Sequence, residues 1–469
     1  MVKILRQSIF EMKRFHPLFL VLSALTITSN TSGQTSFPTN FTTEDVTEAS
    51  PVAMPEIWSF EDCVKWAIAN NNDIRRTMLS ILEANENIGM AKDAWLPYVG
   101  FSTSQSYSNY PNPSAGQNGN NYGSSYNVNA SWTIWDGNVR NYRIASSKLL
   151  KRQQELTGAD IVNTLQLGIL QAYLNIMYSE EAVEIARQSL EVSSAQAARA
   201  KRLMETGRTS KVDYAQIESQ KAQDEYNLVQ AQSSYASSKS TLKNLLNLGL
   251  DYDLNIKGAE FSDSIVNMPL LPKTEVFEIA MQWLPQFKSN ELSKEIYDYD
   301  VKIARSTYYP SISLNGGVGS SYNSSSSAGW GTQMKSFLNE NIGINLSIPI
   351  YDGNATRRAV SIAKLQALDY DLNRTSLIND LSQTIENLYI ETESARARYN
   401  AGIPQLESAE LTSNLVDRQF ELGLVNPLEL LTAHNNLLNA RLELLQSKYM
   451  AILSNKTIDY YATTFVNLP

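Results

Sequence analysis

Residues 126–134 read Tyr126-Asn-Val-Asn-Ala-Ser-Trp-Thr-Ile134, and residues 342–350 read Ile342-Gly-Ile-Asn-Leu-Ser-Ile-Pro-Ile350. In the first, Tyr126, Val128, Ala130, Trp132 and Ile134 alternate with Asn127, Asn129, Ser131 and Thr133. In the second, Ile342, Ile344, Leu346, Ile348 and Ile350 alternate with Asn341, Gly343, Asn345 and Ser347. A period of two over about ten residues is a strand with one apolar and one polar face. Segments 98–107 and 311–322 carry the pattern less cleanly, and Ser-, Asn- and Gly-rich stretches join the partners. The spacing predicts two long-looped β-hairpins, 98–135 and 311–350.

Such strands must cover their apolar face. A soluble sandwich would do so, but three features favour a membrane barrel. Ten residues is the length of a tilted membrane-spanning strand. The polar face holds Asn, Ser, Thr and Gly with scarcely a charge, which suits a lumen. Tyr107, Tyr110, Tyr122, Tyr126, Trp132, Trp135, Tyr322 and Trp330 gather towards strand ends, as in interfacial girdles. In lipid every strand edge must be paired. Four strands are too few to close, so copies must associate. Two copies give eight strands and three give twelve; the residues alone leave both open.

The chain writes one pattern twice. Trp135-Asp-Gly-Asn138 returns as Tyr351-Asp-Gly-Asn354, and Glu205-Thr-Gly207 as Glu421-Leu-Gly423. The organisation expected is a first repeat over 58–247, an equatorial linker over 248–272 and a second repeat over 273–469. Each repeat holds an apolar period of threes and fours, over 139–206 and 355–422, that no compact domain can bury. The partners must be other long helices, as in coiled coils. Helices before and after each hairpin, about 71–94 with 211–247 and 285–307 with 427–465, are together as long as the continuous one. Pro404, beside Gly402, is expected to kink the second long helix.

Composition narrows the function. The chain has 469 residues, a net charge of −9, one cysteine and two histidines, His16 and His434. That argues against a nucleic-acid surface, a thiolate metal cluster and most histidine chemistry. Lys3, Arg6, Lys13 and Arg14 precede an apolar run from Leu18 to Ile27, so 1–33 reads as a signal peptide cleaved near Gly33, and 34–57 as an N-terminal extension. A lipoprotein reading would need a cysteine just after that run, and none stands there.

The opening Phe60-Glu-Asp-Cys63 with Ala67, Asn70 and Asn71, the duplicated Asp-Gly-Asn, the turn glycines, and the tail from Leu428-Glu-Leu-Leu-Thr-Ala433 to Leu445 resemble the outer-membrane efflux proteins, the TolC-like exit ducts. The resemblance implies a mixed α/β membrane protein: a homotrimer with a twelve-stranded transmembrane β-barrel, four strands per chain, continuing into a long periplasmic α-helical coiled-coil barrel. It implies a duct in the outer membrane of a Gram-negative bacterium, docked by a periplasmic adaptor (membrane fusion) protein and an inner-membrane pump. Small molecules or ions would pass through it, without enzyme activity or cofactor. The exit duct of a one-step (type I) protein secretion system shares this architecture. A soluble periplasmic helical scaffold with a β-sandwich end is the rival of another class.

By the same resemblance the turns 204–213 and 420–429 are the tunnel's periplasmic tips. The family's two acidic positions after the second turn glycine hold Glu429 and Thr432, implying one carboxylate ring at the constriction instead of two. Its acidic position after the first glycine holds Asp213. Phe420 and Val425 replace the tyrosine and arginine that close the family's tip, and Arg208 is the cation on hand. Gly207, Arg208, Gly423, Leu424 and Val425 form the surface expected to meet the adaptor. Cys63 reads as a small buried hydrophobe, and His434 as a solvated or hydrogen-bonded residue, not a metal ligand.

Overall fold

The structure is a computed structural model describing residues 54–112, 119–258, 261 and 263–463. The expected signal peptide and most of the 34–57 extension lie outside the described residues. Two short helices, α1 (Phe60–Asn70) and α2 (Asn72–Asp93), lead to β1 (Tyr98–Asn109) and β2 (Asn120–Trp135). The long α3 (Val139–Glu205) and the returning α4 (Lys211–Leu245) follow. The order then recurs as α5 (Lys273–Trp283), α6 (Pro285–Ser306), β3 (Ser311–Asn323), β4 (Asn339–Ser347), α8 (Ala355–Glu421) and α9 (Pro427–Thr463). A short helix, α7 (Trp330–Ser336), interrupts the second hairpin.

The 67-residue α3 and α8 each run ~100 Å at 1.5 Å per residue. The shorter α2 and α4 both lie along α3, and α6 and α9 along α8. The helix continues unbroken through Pro404. Gly402 instead marks a close approach, since a Cβ there would meet Leu444 Cδ1 at 3.1 Å. Cores form where the columns meet the linker. Trp58 is fully buried, donates its indole N–H to the Tyr252 hydroxyl at 2.9 Å and bridges to Ile256; Trp66 donates to the Leu246 carbonyl. Cys63 lies in this core, and burial, with Asp62 adding to it, pushes its thiol up to about 12, which leaves it inert.

The four strands form one antiparallel sheet in the order β1-β2-β3-β4. Phe101, Val128 and Val318 line up across it, as do Trp132, Leu314 and Ile344. This apolar face is bare: Phe101, Ile342 and Ile344 are 67%, 81% and 72% exposed. No second sheet packs on it among the described residues. Tyr107, Tyr122 and Tyr322 mark one end of the face, and Trp132 and Trp135 the other. Ten residues separate Tyr122 from Trp132; at ~3.4 Å each and a ~40° tilt they span ~25 Å, the height of an outer-membrane apolar band.

Several strand limits differ from expectation. β2 begins at Asn120, because Tyr122, Ser124 and Tyr126 keep the alternation where small polar residues hide it. β4 stops at Ser347, short of 350, because Pro349 has no N–H to donate. Within the Ser- and Gly-rich stretch between β3 and β4, α7 covers the β3 edge beyond β4: the Gln333 side chain accepts from Asn323 N–H at 2.9 Å and donates to the Asn323 carbonyl at 3.1 Å.

Asp-Gly-Asn is the corner where each strand becomes a helix. Gly137 and Asn138 take φ of 69° and 76°, and Gly353 and Asn354 take 68° and 66°, so the chain turns sharply on two left-handed residues. In the second copy Asp352 accepts from Thr356 N–H at 2.8 Å, and the Thr356 hydroxyl and backbone bonds hold its carboxyl below the usual range. In the first, Arg140 replaces that bond. Its guanidinium pairs with Asp136 at 3.0 Å, donates to the Thr133 and Ile134 carbonyls at 2.7 and 3.1 Å, and stacks 3.9 Å from the Trp95 ring.

Candidate functional site

The two helix tips share one construction. Gly207 (φ 71°) and Gly423 (φ 73°) end α3 and α8 in the left-handed conformation. Arg208 N–H donates to the Leu203 carbonyl at 2.8 Å, and Leu424 N–H to the Gln419 carbonyl at 2.9 Å. These are Schellman closures, which need a residue without a Cβ penalty at the glycine. The returning helices start at once. Ser210 and Asp213 form a reciprocal capping box, Asp213 N–H donating to Ser210 Oγ at 3.0 Å and Ser210 N–H to Asp213 Oδ2 at 3.2 Å. Hydrogen bonds from Ser210 and then Thr209 hold the Asp213 carboxyl below the usual range. Asn426 does the same work on α9: its Oδ1 accepts from Glu429 N–H at 3.0 Å and its Nδ2 donates to Glu429 Oε1 at 3.1 Å.

Asp213 is therefore engaged in its own helix start. Glu429 keeps an exposed carboxylate, and Thr432 is exposed with its hydroxyl donating to the Leu428 carbonyl at 2.7 Å. Gly207, Arg208, Gly423 and Leu424 are exposed and Val425 is half-buried. Leu422, Leu424 and Leu428 add apolar surface, 74%, 72% and 67% exposed.

What joins the tips differs from the expected cation. Arg199, not Arg208, pairs with Glu421 across from α3 to α8. Gln196 donates to Asp417 at 3.0 Å one turn away. Phe420 packs on Ala197, Ala200 and Ile217, with Tyr214 alongside. These contacts join the two tips within one chain. The one sequence signal for them is Ala195-Gln-Ala-Ala-Arg-Ala200, where small side chains let another helix come close. His434 is buried and hydrogen-bonded, with Ser189 Oγ at 2.8 Å and Asp224 Oδ2 at 3.0 Å.

A profile described as "Outer membrane efflux protein" matches residues 64–248 and 278–459, both repeats and little of the linker. The chain belongs to the outer membrane efflux protein family. This outer membrane efflux protein is 22% identical over 336 residues to the cobalt-zinc-cadmium resistance protein CzcC of Cupriavidus metallidurans, covering 71% of this chain and 73% of that one. It is 21% identical over 403 residues to the outer membrane protein TolC of Escherichia coli, covering 83% and 79%. The solved structure of CusC shares the fold, with a TM-score of 0.70 at 19% identity over 86% of this chain and 91% of that one. The protein is an efflux channel in the outer membrane of a Gram-negative bacterium, and not an enzyme. Channels of this kind act with an adaptor and an inner-membrane pump. No described helix is long and apolar enough to cross a membrane, so no described helix supplies the crossing.

Proposed function

We propose that three copies close a twelve-stranded barrel in the outer membrane and a helical tunnel beneath it, through which the pump's cargo leaves the cell. The observation that carries this is the single sheet with one bare apolar face and no partner on the outer edges of β1 and β4 among the described residues. A lipid-facing sheet cannot keep such edges unpaired. A stripe along α8, Ile362, Leu365, Leu368 and Leu372, is also 56%, 63%, 61% and 68% exposed, and its helical spacing asks for a neighbouring helix. Cross-linking of the purified protein in detergent is expected to stop at three chains; a ladder ending at two would mean an eight-stranded barrel too narrow for a duct.

Glu429 from each copy lines the narrowest point of this tunnel, with Thr432 one turn on and Asp213 on the neighbouring tip. The exposed tip residues Gly207, Arg208, Gly423, Leu424 and Val425 meet the adaptor. A ring of carboxylates in a confined pore favours cations. Glu429→Gln is expected to move the reversal potential in a salt gradient towards zero and to weaken periplasmic-side block by polyvalent cations about tenfold or more. An unchanged reversal potential and block would leave Glu429 as a helix-start carboxylate and put the constriction elsewhere.

A further inference from the structure

Helix α6 packs on α3 of the first repeat and on α8 of the second, and near its start the three helices leave a groove of about 300 Å3. Asp160 of α3 lines it, half-buried. Among the described residues no cation pairs with this carboxylate and no donor bonds to it; burial alone acts on it and pushes the carboxyl above its usual range. On the facing helix, Asn290 Oδ1 is buried without a hydrogen-bond partner. Native proteins leave few buried polar atoms unpaired, and here one stands in the same groove as an uncompensated charge.

The other groups of the groove do not answer these two. Ser293 accepts from Gln153 Nε2 at 2.8 Å and spends its own proton on the Ser289 carbonyl at 3.2 Å. Thr157 spends its proton on the Gln153 carbonyl at 3.1 Å, so towards the groove its hydroxyl can only accept. No lysine or arginine lines the space. What is missing is positive charge together with hydrogen-bond donors. Two leucines, Leu156 of α3 and Leu377 of α8, add apolar wall on either side.

We propose that this groove binds a small organic cation, a single ammonium group on a short apolar stem. An ammonium brings the charge that Asp160 lacks and three donors, enough for Asp160, Asn290 Oδ1 and Thr157 together. Its stem rests on Leu156 and Leu377. A calcium ion asks for about six to eight oxygens, commonly several carboxylates, whereas this groove has one carboxylate. No group of three or more acidic, histidine or cysteine side chains suited to a metal occurs among the described residues. Bound there, the ligand bridges α3 of one repeat and α6 of the other. The inference rests on the fold of one chain and not on the duct reading.

The test is calorimetric titration of the full-length protein in a non-ionic detergent with n-hexylammonium chloride. Saturable binding at one site per chain is expected, with 1-hexanol, which keeps the stem and lacks the charge, failing to compete. Asp160→Asn removes only the charge and should weaken binding about tenfold or more. Because that charge has no partner in the protein, Asp160→Asn should melt no lower than wild type without ligand, which shows that the variant folds. Asn290→Leu should weaken binding about threefold or more, and Asp380→Asn, an exposed carboxylate elsewhere on α8, should leave it unchanged. Three results overturn the proposal: no saturable binding, equal binding by wild type and Asp160→Asn, or full competition by 1-hexanol. Magnesium chloride displacing hexylammonium at lower concentration than the amine itself would overturn the ammonium assignment in favour of a hydrated metal ion.

Discussion

Ile342→Arg is expected to abolish the membrane-embedded form of this protein, whereas Asn345→Arg, three residues along the same strand, is expected to assemble. Ile342 is 81% exposed on the apolar face, opposite Gly316, which in turn lies opposite Ala130. That row lies inside the apolar face, two residues along β2 from the Trp132 row and eight from Tyr122. An arginine inside the apolar band costs up to ~2–4 kcal/mol, and every chain of the assembly bears it. Leu346 sits two same-face pairs nearer the tryptophan end, opposite Ile312, which pairs with Trp135. The cost of Leu346→Arg should therefore be smaller, towards the ~0–1 kcal/mol of an interface position. Asn345 pairs with Ser313 on the polar face, so its arginine points into water and should change conductance instead. The amount of unheated, detergent-resistant oligomer recovered from outer-membrane fractions should fall in the order Asn345→Arg, Leu346→Arg, Ile342→Arg. Equal loss in all three would mean that the apolar face is covered by protein.

Much of this architecture was open to reading because its rules are periodic and local. Ile342, Ile344 and Leu346 announce a strand with one apolar face by alternation alone. Asp-Gly-Asn and the turn glycines mark corners that demand positive φ. Ser210 with Asp213 three residues on is a capping signature. The same locality explains the misses. β2 extends to Asn120 through residues that are small and polar on both faces, so the period is present without contrast. The strand end at Ser347 was legible in Pro349, but the isoleucines on either side of it outweighed that signal. The latch at the tips was hidden for another reason. Arg199 and Glu421 are 222 residues apart, and nothing local in either helix says which charge of the other tip it will face. The same holds for His434, whose partner Asp224 lies 210 residues away in the other repeat. Its neighbours Asn435 and Asn436 read as a solvated face, and in the folded chain Asn436 stays exposed while His434 turns inward.

Arg140→Ala is expected to cause the second large loss, at the corner where the first hairpin meets α3. The β2–β3 ladder slips between Thr133 and Trp135, so the carbonyls of Thr133 and Ile134 lie where regular pairing fails. Arg140, 4% exposed, supplies donors to both and a charge to Asp136. Truncation leaves an uncompensated, largely buried carboxylate and two carbonyls without those bonds, for which about 3–5 kcal/mol is the usual loss. Arg140→Lys keeps the charge but not the planar fork or the stacking on Trp95, so it should recover less than half of that. The second repeat supplies an internal control. Thr356 stands where the first repeat has Arg140, and its side chain serves only the Asp352 helix start. Thr356→Ala keeps the backbone bond to Asp352 and should cost about 0.5–1.5 kcal/mol, the usual net value of one hydrogen bond. Thermal melting of the assembled protein should therefore rank Thr356→Ala above Arg140→Lys, and Arg140→Ala lowest. If Arg140→Ala melts with Thr356→Ala, the corner is held by closure of the barrel, and the arginine only fills a gap that the neighbouring strands already enforce.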